Sequence, residues 1–132
     1  MHYTKHFFLS IILMVISLCL KAQEINENLL EAIQENNLAK VQEYVTKGAD
    51  VNFRDENNAS VLLWASYKMD LPAVKFLIGK GAKILSEDGF IWLNDKKDGY
   101  YGGLLATAAA ENKLDLLRYF VEEHKLSVNS KE

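Results

Sequence analysis

The side chains best suited to nucleophilic or acid–base chemistry are few in this chain. It holds one cysteine, Cys19, and three histidines, of which only His124 lies outside the first ten residues. The chain contains no Gly-x-Ser-x-Gly turn that would expose a serine to His124, and a histidine near a helix end is typical of an interaction with the helix dipole. The sequence therefore predicts no catalytic residue, no cofactor and no enzyme.

Three aspartates, Asp88, Asp95 and Asp98, share the segment SEDGFIWLNDKKDGYYGG at residues 86–103. Their spacing does not match a calcium-binding loop, and no closing glutamate follows them. Nothing in the sequence places them around a cleft as a carboxylate pair. We interpret them as solvated turn residues and predict no metal site.

The same segment carries an unusual number of large apolar side chains. Turn-forming residues, NDKKDG, separate two apolar runs, which predicts a finger resembling a β-hairpin. Two interpretations stay open, because the side chains could pack back onto the fold or form an aromatic platform for a protein or a glycan. The side chains concerned are Phe90, Ile91, Trp92, Leu93, Tyr100 and Tyr101.

The segment at residues 86–103 lies within an internal repeat, whose helices would hold it in place. With the chain laid on itself at an offset of 33, KGADVN at residues 47–52 meets KGAKIL at residues 80–85, and a third copy follows at an offset of 43. The extra ten residues lie between the second and third copies. The matched residues at the first offset include Leu29 with Leu62, Ala32 with Ala65, Leu38 with Leu71, Val41 with Val74, Gly48 with Gly81 and Ala49 with Ala82.

Each copy has two apolar helical periodicities around a polar break, so each predicts a helical hairpin. The breaks fall at Asn36-Asn37, Met69-Asp70 and Asn112-Lys113. In the second copy we expect Ser60 to cap the first helix, Pro72 to lie in the first turn of the second, and Gly81 to end it. The predicted buried positions of that copy are Leu62, Ala65, Ser66, Leu71, Val74, Leu77 and Ile78.

This pattern resembles the ankyrin repeat family, whose unit is about 33 residues with a turn and two helices. The predicted fold is therefore an all-α solenoid with units at about residues 24–54, 55–85 and 86–132, and an extended finger at residues 86–103. Ser60-Val61-Leu62-Leu63 stands where the family has Thr-Pro-Leu-His. Lys83 and Leu85 stand where it has aspartate and asparagine.

The resemblance implies a protein-binding surface on the connector tips and the exposed side of each first helix. The predicted role is an adaptor, inhibitor or stabiliser of a protein partner, and the alternative is a carbohydrate-binding or glycan-processing module that uses the aromatic finger. The predicted partner-binding residues are Arg54, Glu56, Asn57, Tyr67, Lys68, Trp92, Tyr100 and Tyr101. The other positions carried over are Gln34, Glu35, Ala59, Ala110 and Glu111.

The N-terminal segment resembles a secretory signal peptide. Lys5 precedes a 14-residue apolar run at residues 7–20, and the small Ala22 precedes Gln23. The run is shorter than the roughly 20 residues of a membrane-spanning helix, although an uncleaved anchor or a buried core helix is the alternative. We predict a signal peptide at residues 1–22, a repeat domain at 23–132, and a periplasmic or secreted protein without stable membrane insertion.

Charge argues against a nucleic-acid partner. The net charge of −3 falls to −5 once residues 1–22 are removed, because Lys5 and Lys21 leave and no acid does. The remaining basic residues are scattered among acids, whereas nucleic-acid binding requires a basic patch. The last helix, LDLLRYFVEE, keeps an apolar stripe of Leu114, Leu117 and Val121, which we predict is covered by residues 126–132 or by self-association.

Overall fold

The computed structural model describes residues 2–84, 90–92 and 100–126. Within them the chain forms six α-helices, two short strands and one π-helical segment. In order these are α1 (His2–Gln34), α2 (Leu38–Thr46), α3 (Val61–Lys68), α4 (Leu71–Gly79), β1 (Phe90–Trp92), β2 (Tyr100–Gly102), α5 (Leu104–Ala110), α6 (Leu114–Arg118) and the π-helical Tyr119–Glu123.

The helices pair as the repeat predicts. Hairpins are formed by α1 with α2, α3 with α4, and α5 with α6, while α3 packs between α1 and α5. Asn36 and Asn112 turn the chain between paired helices with φ values of 55°, which asparagine tolerates better than most residues. The all-α, helical-repeat prediction is confirmed.

Local sequence signals account for the helix ends. The Ser60 hydroxyl accepts a hydrogen bond from the Leu63 N–H at 3.0 Å, and Asn37 caps α2 in the same way through the Lys40 N–H at 3.1 Å. Pro72 lies in the first turn of α4. Gly48 and Gly81 each follow a second helix with φ of +99°, a conformation open to glycine without a Cβ clash.

One apolar core runs through all three hairpins. Val74 and Leu77 are fully buried, as are Leu62 and Ala65, so the predicted inward faces are correct. Leu71 and Ile78 are only half-buried but pack against that core. The largest fully buried side chains are Phe120, Leu29, Ile33, Leu62, Leu63, Met69, Leu77, Leu116, Val41, Val61 and Val74.

Asparagine side chains bind the backbone of the connectors that follow the second helices. Asn26 on α1 accepts a hydrogen bond from the Asp50 N–H at 2.7 Å. Between the first and second units, Asn52 accepts from the Lys83 N–H at 2.8 Å and donates to the Gly81 carbonyl at 3.1 Å. Both partners of Asn52 in the next connector are backbone groups. The bonds therefore form with lysine at position 83, where the family has aspartate. Leu85 lies outside the described residues.

Lys113 links the second and third units. Its ammonium donates to the carbonyls of Ser66 at 2.9 Å, Tyr67 at 2.8 Å and Met69 at 2.6 Å, and so caps the C-terminal end of α3. Burial lowers the pKa of Lys113, while the nearby carboxylates, Asp70 first among them, act in the opposite direction. A positive charge at a helix C-terminus is stabilising because carbonyl dipoles converge there.

The apolar N-terminal segment is continuous with the first repeat. Helix α1 passes through Ala22 and Gln23 without a break. Residues 3–24 are exposed, and Ile25 is the first residue that packs against the core. A buried core helix is therefore the wrong interpretation of residues 7–20. An 18-residue window of α1 has a mean hydropathy of 1.9, which fits a signal sequence or an anchor.

The last helix differs from its predicted form. The α-helix ends at Arg118, and Tyr119–Glu123 is π-helical. The face turned inward consists of Leu116 and Phe120, both fully buried, with Tyr119 nearly so. Burial raises the pKa of the Tyr119 phenol. Of the predicted stripe, Leu117 is partly buried against the core, whereas Leu114 is 66% exposed and Val121 39% exposed.

The residue expected to begin the covering tail, Leu126, is partly buried against the core. Its N–H donates to the Phe120 carbonyl at 3.1 Å. Residues 127–132 lie outside the described part, so their covering of Leu114 and Val121 stays a prediction, as does self-association.

Candidate functional site

A groove lies between α1 and the first finger, the name used here for residues 53–57. Its volume is about 540 Å³. Leu30 and Phe53 are half-buried and give the groove an apolar floor. The lining residues are Gln23, Glu27, Leu30 and Gln34 from α1, and Phe53, Arg54, Asp55, Glu56 and Asn57 from the first finger.

The carboxylate of Asp55 holds the first finger in shape. One oxygen accepts hydrogen bonds from the N–H groups of Asn57 and Ala59, both at 2.9 Å. The other accepts from the indole N–H of Trp64 on α3 at 2.7 Å. Asn58 turns the chain with φ of 59°. These bonds brace a turn whose Thr-Pro-Leu-His positions are altered.

Three predicted partner-binding residues come together at the groove. Arg54 is half-buried, whereas Glu56 and Asn57 are exposed at its rim. The guanidinium of Arg54 donates to the Asn58 carbonyl at 2.6 Å, so Arg54 also stabilises the finger that presents its neighbours. The acidic residues lining the groove are Glu27, Asp55 and Glu56, and Arg54 is the basic one.

Tyr67 and Lys68 lie at the C-terminal end of α3, apart from the groove lining. The Tyr67 ring contacts the Trp64 ring, with centroids 6.1 Å apart, and the Lys68 ammonium lies 4.7 Å from the Tyr67 centroid. Because Trp64 is bonded to Asp55, it joins the first finger to this aromatic and cationic pair.

The aromatic finger is described through its backbone. Strands β1 and β2 pair antiparallel, with Trp92 opposite Tyr100 and Ile91 opposite Tyr101, and β1 lies beside α3. The side chains of Trp92, Tyr100 and Tyr101, and residues Asp88, Leu93, Asp95 and Asp98, lie outside the described part. The choice between a packed finger and a protein or glycan platform stays open.

The other positions predicted for the binding surface differ in exposure and in contacts. Gln34 lines the groove, and Glu35 pairs with Lys40 at 3.1 Å, a contact that raises the pKa of Lys40. Ala110 is exposed and Glu111 half-buried. Ala59 is fully buried, so its placement on the binding surface is wrong: its N–H is bound by Asp55 and its methyl group packs in the core.

The histidine considered above as a possible catalytic group, His124, packs against an aromatic ring. The His124 ring packs edge-on against Tyr119, with centroids 4.8 Å apart. Among the described residues, no three histidine, cysteine, aspartate or glutamate side chains cluster closely enough to hold a metal ion.

The sequence interpretation missed the lining residues Gln23, Glu27, Leu30 and Phe53. The repeat match identified Leu29 as a core residue but gave no role to its neighbour Leu30, which is half-buried in the groove. Asp55 was missed as the brace, although an aspartate opening the turn-rich DENN is a typical side-chain acceptor for nearby N–H groups.

Stacked helical hairpins, braced connectors and a groove between finger and helix define a repeat protein of the solenoid class. The family model for ankyrin repeats in three copies matches residues 29–132, and the chain belongs to the ankyrin repeat family. Ankyrin repeat domains are typically non-catalytic modules for protein–protein interaction. The chain is also similar to Protein VAPYRIN-LIKE of Medicago truncatula, with 30% identity over 117 residues, which cover 87% of this chain and 22% of that protein.

Proposed function

We propose that this protein is exported and binds one protein partner through the groove between α1 and the first finger. Its role would be that of an adaptor, inhibitor or stabiliser. The observation that carries the proposal is the groove itself, because a cleft of about 540 Å³ with an apolar floor is held open by a braced finger.

The groove favours a partner segment that combines an apolar side chain with basic or other donor groups. Leu30 and Phe53 offer apolar surface that water solvates poorly. The Asp55 carboxylate is occupied by its three donors, which leaves Glu27 and Glu56 as the acids facing a ligand. Opposite charge on the partner would speed association and align it.

The proposed surface continues beyond the groove. Tyr67 and Lys68 extend it along α3, and Trp92, Tyr100 and Tyr101 extend it on the aromatic finger beside that helix. Aromatic side chains dominate many interfaces because they bury a large area at a small entropic cost.

The position at which α1 begins to contact the core supports export. Cleavage after Ala22 would leave the described core intact, because residues 3–22 are exposed, the first core contact is made by Ile25 and the first bond from α1 to a connector is made by Asn26. The domain would then consist of residues 23–132, with units at about 24–54, 55–85 and 86–132, in the periplasm or outside the cell.

The test is site-specific photo-crosslinking in an exporting cell. A photoreactive residue replaces Asn57 at the groove or, as the matched control, Gln42, which is exposed on α2 outside the groove. We expect one crosslinked protein from position 57, none from 42, and a loss of product when Glu56→Lys is added. Equal products from both positions would refute the groove as the binding site.

A further inference from the structure

The residue that export would place at the new N-terminus is a glutamine. Gln23 is exposed on α1, and its side-chain amide nitrogen donates to the Glu27 carboxylate at 3.0 Å. It also lines the groove. A change of charge or shape at this residue would therefore alter the rim of the proposed binding site.

We propose that Gln23 of the exported protein is converted to pyroglutamate, a modification that rests on the proposed cleavage after Ala22. Cleavage frees the α-amino group of Gln23 within reach of its own side-chain amide. In the neutral amine form, the α-amino nitrogen attacks Cδ and forms a five-membered lactam. The Cδ–Nε2 bond breaks, one proton passes from the α-amino nitrogen to the departing nitrogen, and ammonia leaves.

The reaction is balanced without an oxidant, a reductant or a second substrate. Its geometry requires only that residue 23 can leave the helical conformation. Residues 20–24 are exposed, and packing begins at Ile25. The first residue of a helix has no intrahelical acceptor for its N–H group, so the new terminus is free to adopt the cyclic form without a loss of core contacts.

The electrostatics of the new helix end favour the product. A free α-amino group with a pKa of about 7.7–8.0 carries substantial positive charge near neutral pH, and positive charge is unfavourable at the positive end of a helix dipole. The lactam is neutral. The acids of the first turn, Glu24 and Glu27, remain as favourable partners of that end.

Cyclisation also changes the groove. It removes one positive charge from the rim and consumes the amide nitrogen that donates to Glu27. The Glu27 carboxylate then offers a ligand both of its oxygens, beside the Leu30 and Phe53 floor. The modified groove is more acidic and better suited to a basic segment.

The experiment recovers the full-length gene product from the exported fraction of a bacterial host and measures its intact mass and N-terminal sequence. We expect residues 23–132 with a mass lower by one ammonia and an N-terminus blocked to stepwise degradation. The matched variant, Gln23→Ala, is expected to start at residue 23 with a free, readable amino group.

The outcomes separate the two proposals. A protein that begins at Gln23 and keeps a free α-amino group after prolonged storage at neutral pH would overturn cyclisation and leave export intact. A protein that retains residues 1–22, or begins elsewhere, would overturn the cleavage site and the modification together.

Discussion

At the residue scale, Asp55 is the side chain on which the first finger depends. Its carboxylate accepts hydrogen bonds from the backbone N–H groups of Asn57 in the finger and Ala59 just after it, and from the indole of Trp64 on α3, so it sets both the shape of the loop and its distance from the helix. Charged acceptors give the stronger hydrogen bonds in proteins. The groove is therefore held open by an acid that does not itself need to meet the partner.

We predict that Asp55→Ala lowers the free energy of unfolding by about 2 kcal/mol, since three donors lose a charged acceptor. Asp55→Asn should cost less, because its oxygen can still accept from the finger while its NH₂ faces the indole N–H. Urea unfolding of both variants measures this. Glu56→Ala is the control and should stay within about 0.5 kcal/mol of wild type. Equal stabilities of Asp55→Ala and Glu56→Ala would contradict the brace.

Lys113 gives the second prediction at this scale. Lys113→Met keeps the aliphatic stem but removes the three donors at the end of α3, and we expect a loss of about 1–3 kcal/mol. Lys83→Met is the control, because Lys83 is exposed and its bond to Asn52 is made by the backbone N–H, which the substitution retains. Thermal and urea unfolding provide the measurement. A Lys113→Met variant as stable as Lys83→Met would show that the cap is dispensable.

At the element scale, helix ends follow from single residues, and α4 offers a matched pair of glycines. Gly81 has φ of +99°, while Gly79 is helical, and a Cβ at either position would meet no atom of the described part of the chain within 4 Å. An added methyl group would therefore test the backbone conformation at each position and not steric contact.

We predict that Gly81→Ala destabilises the protein by about 1 kcal/mol, because alanine is strained at positive φ. Gly79→Ala should stabilise it by a few tenths to about 1 kcal/mol, since alanine has the higher helix propensity. Melting temperatures that move in the same direction in both variants would contradict this assignment of the helix end.

The inward face of α4 is tested by a second pair. Leu77 is fully buried, so Leu77→Ala should cost about 2–4 kcal/mol through lost burial and a cavity. Lys75 is exposed, and its ammonium lies 5.0 Å from the Tyr119 ring centroid. Lys75→Ala should therefore cost no more than about 1 kcal/mol. Comparable losses in the two variants would mean that the helix is rotated from the face described.

The elements were predictable to the extent that local signals specify them. Polar breaks such as Asn36-Asn37 located the turns, and Ser60 and Gly81 located helix ends. Helix α1 carries no such signal near Gln23, because QEINEN is compatible with helix and the chain continues through it. The π-helical turn after Arg118 depends on packing, and the bond from Asp55 to Trp64 depends on how the first finger lies against α3; helical periodicity contains neither.

At the scale of the whole molecule, residues 2–22 and the repeat domain share one helix, and among the described side chains none of residues 3–22 packs against the core. We predict that removing residues 2–22 leaves the melting temperature unchanged, because core contacts begin at Ile25. Asn26→Ala in the same truncated chain should lower it, since the Asp50 N–H loses its acceptor. Scanning calorimetry of the two chains provides the measurement. A large loss on truncation alone would show that the apolar segment supports the fold.

The Lys113 cap on α3 also determines when the second unit becomes fully stable during synthesis. The ammonium follows the carbonyls that it binds by 44 to 47 residues, and the chain is synthesised from its N-terminus. The second unit therefore leaves the ribosome with the end of α3 uncapped, and it stays so until the third unit is complete. A chain whose last unit is unfinished is thereby kept short of its full stability, a delay that would suit the proposed export if the chain crosses the membrane unfolded.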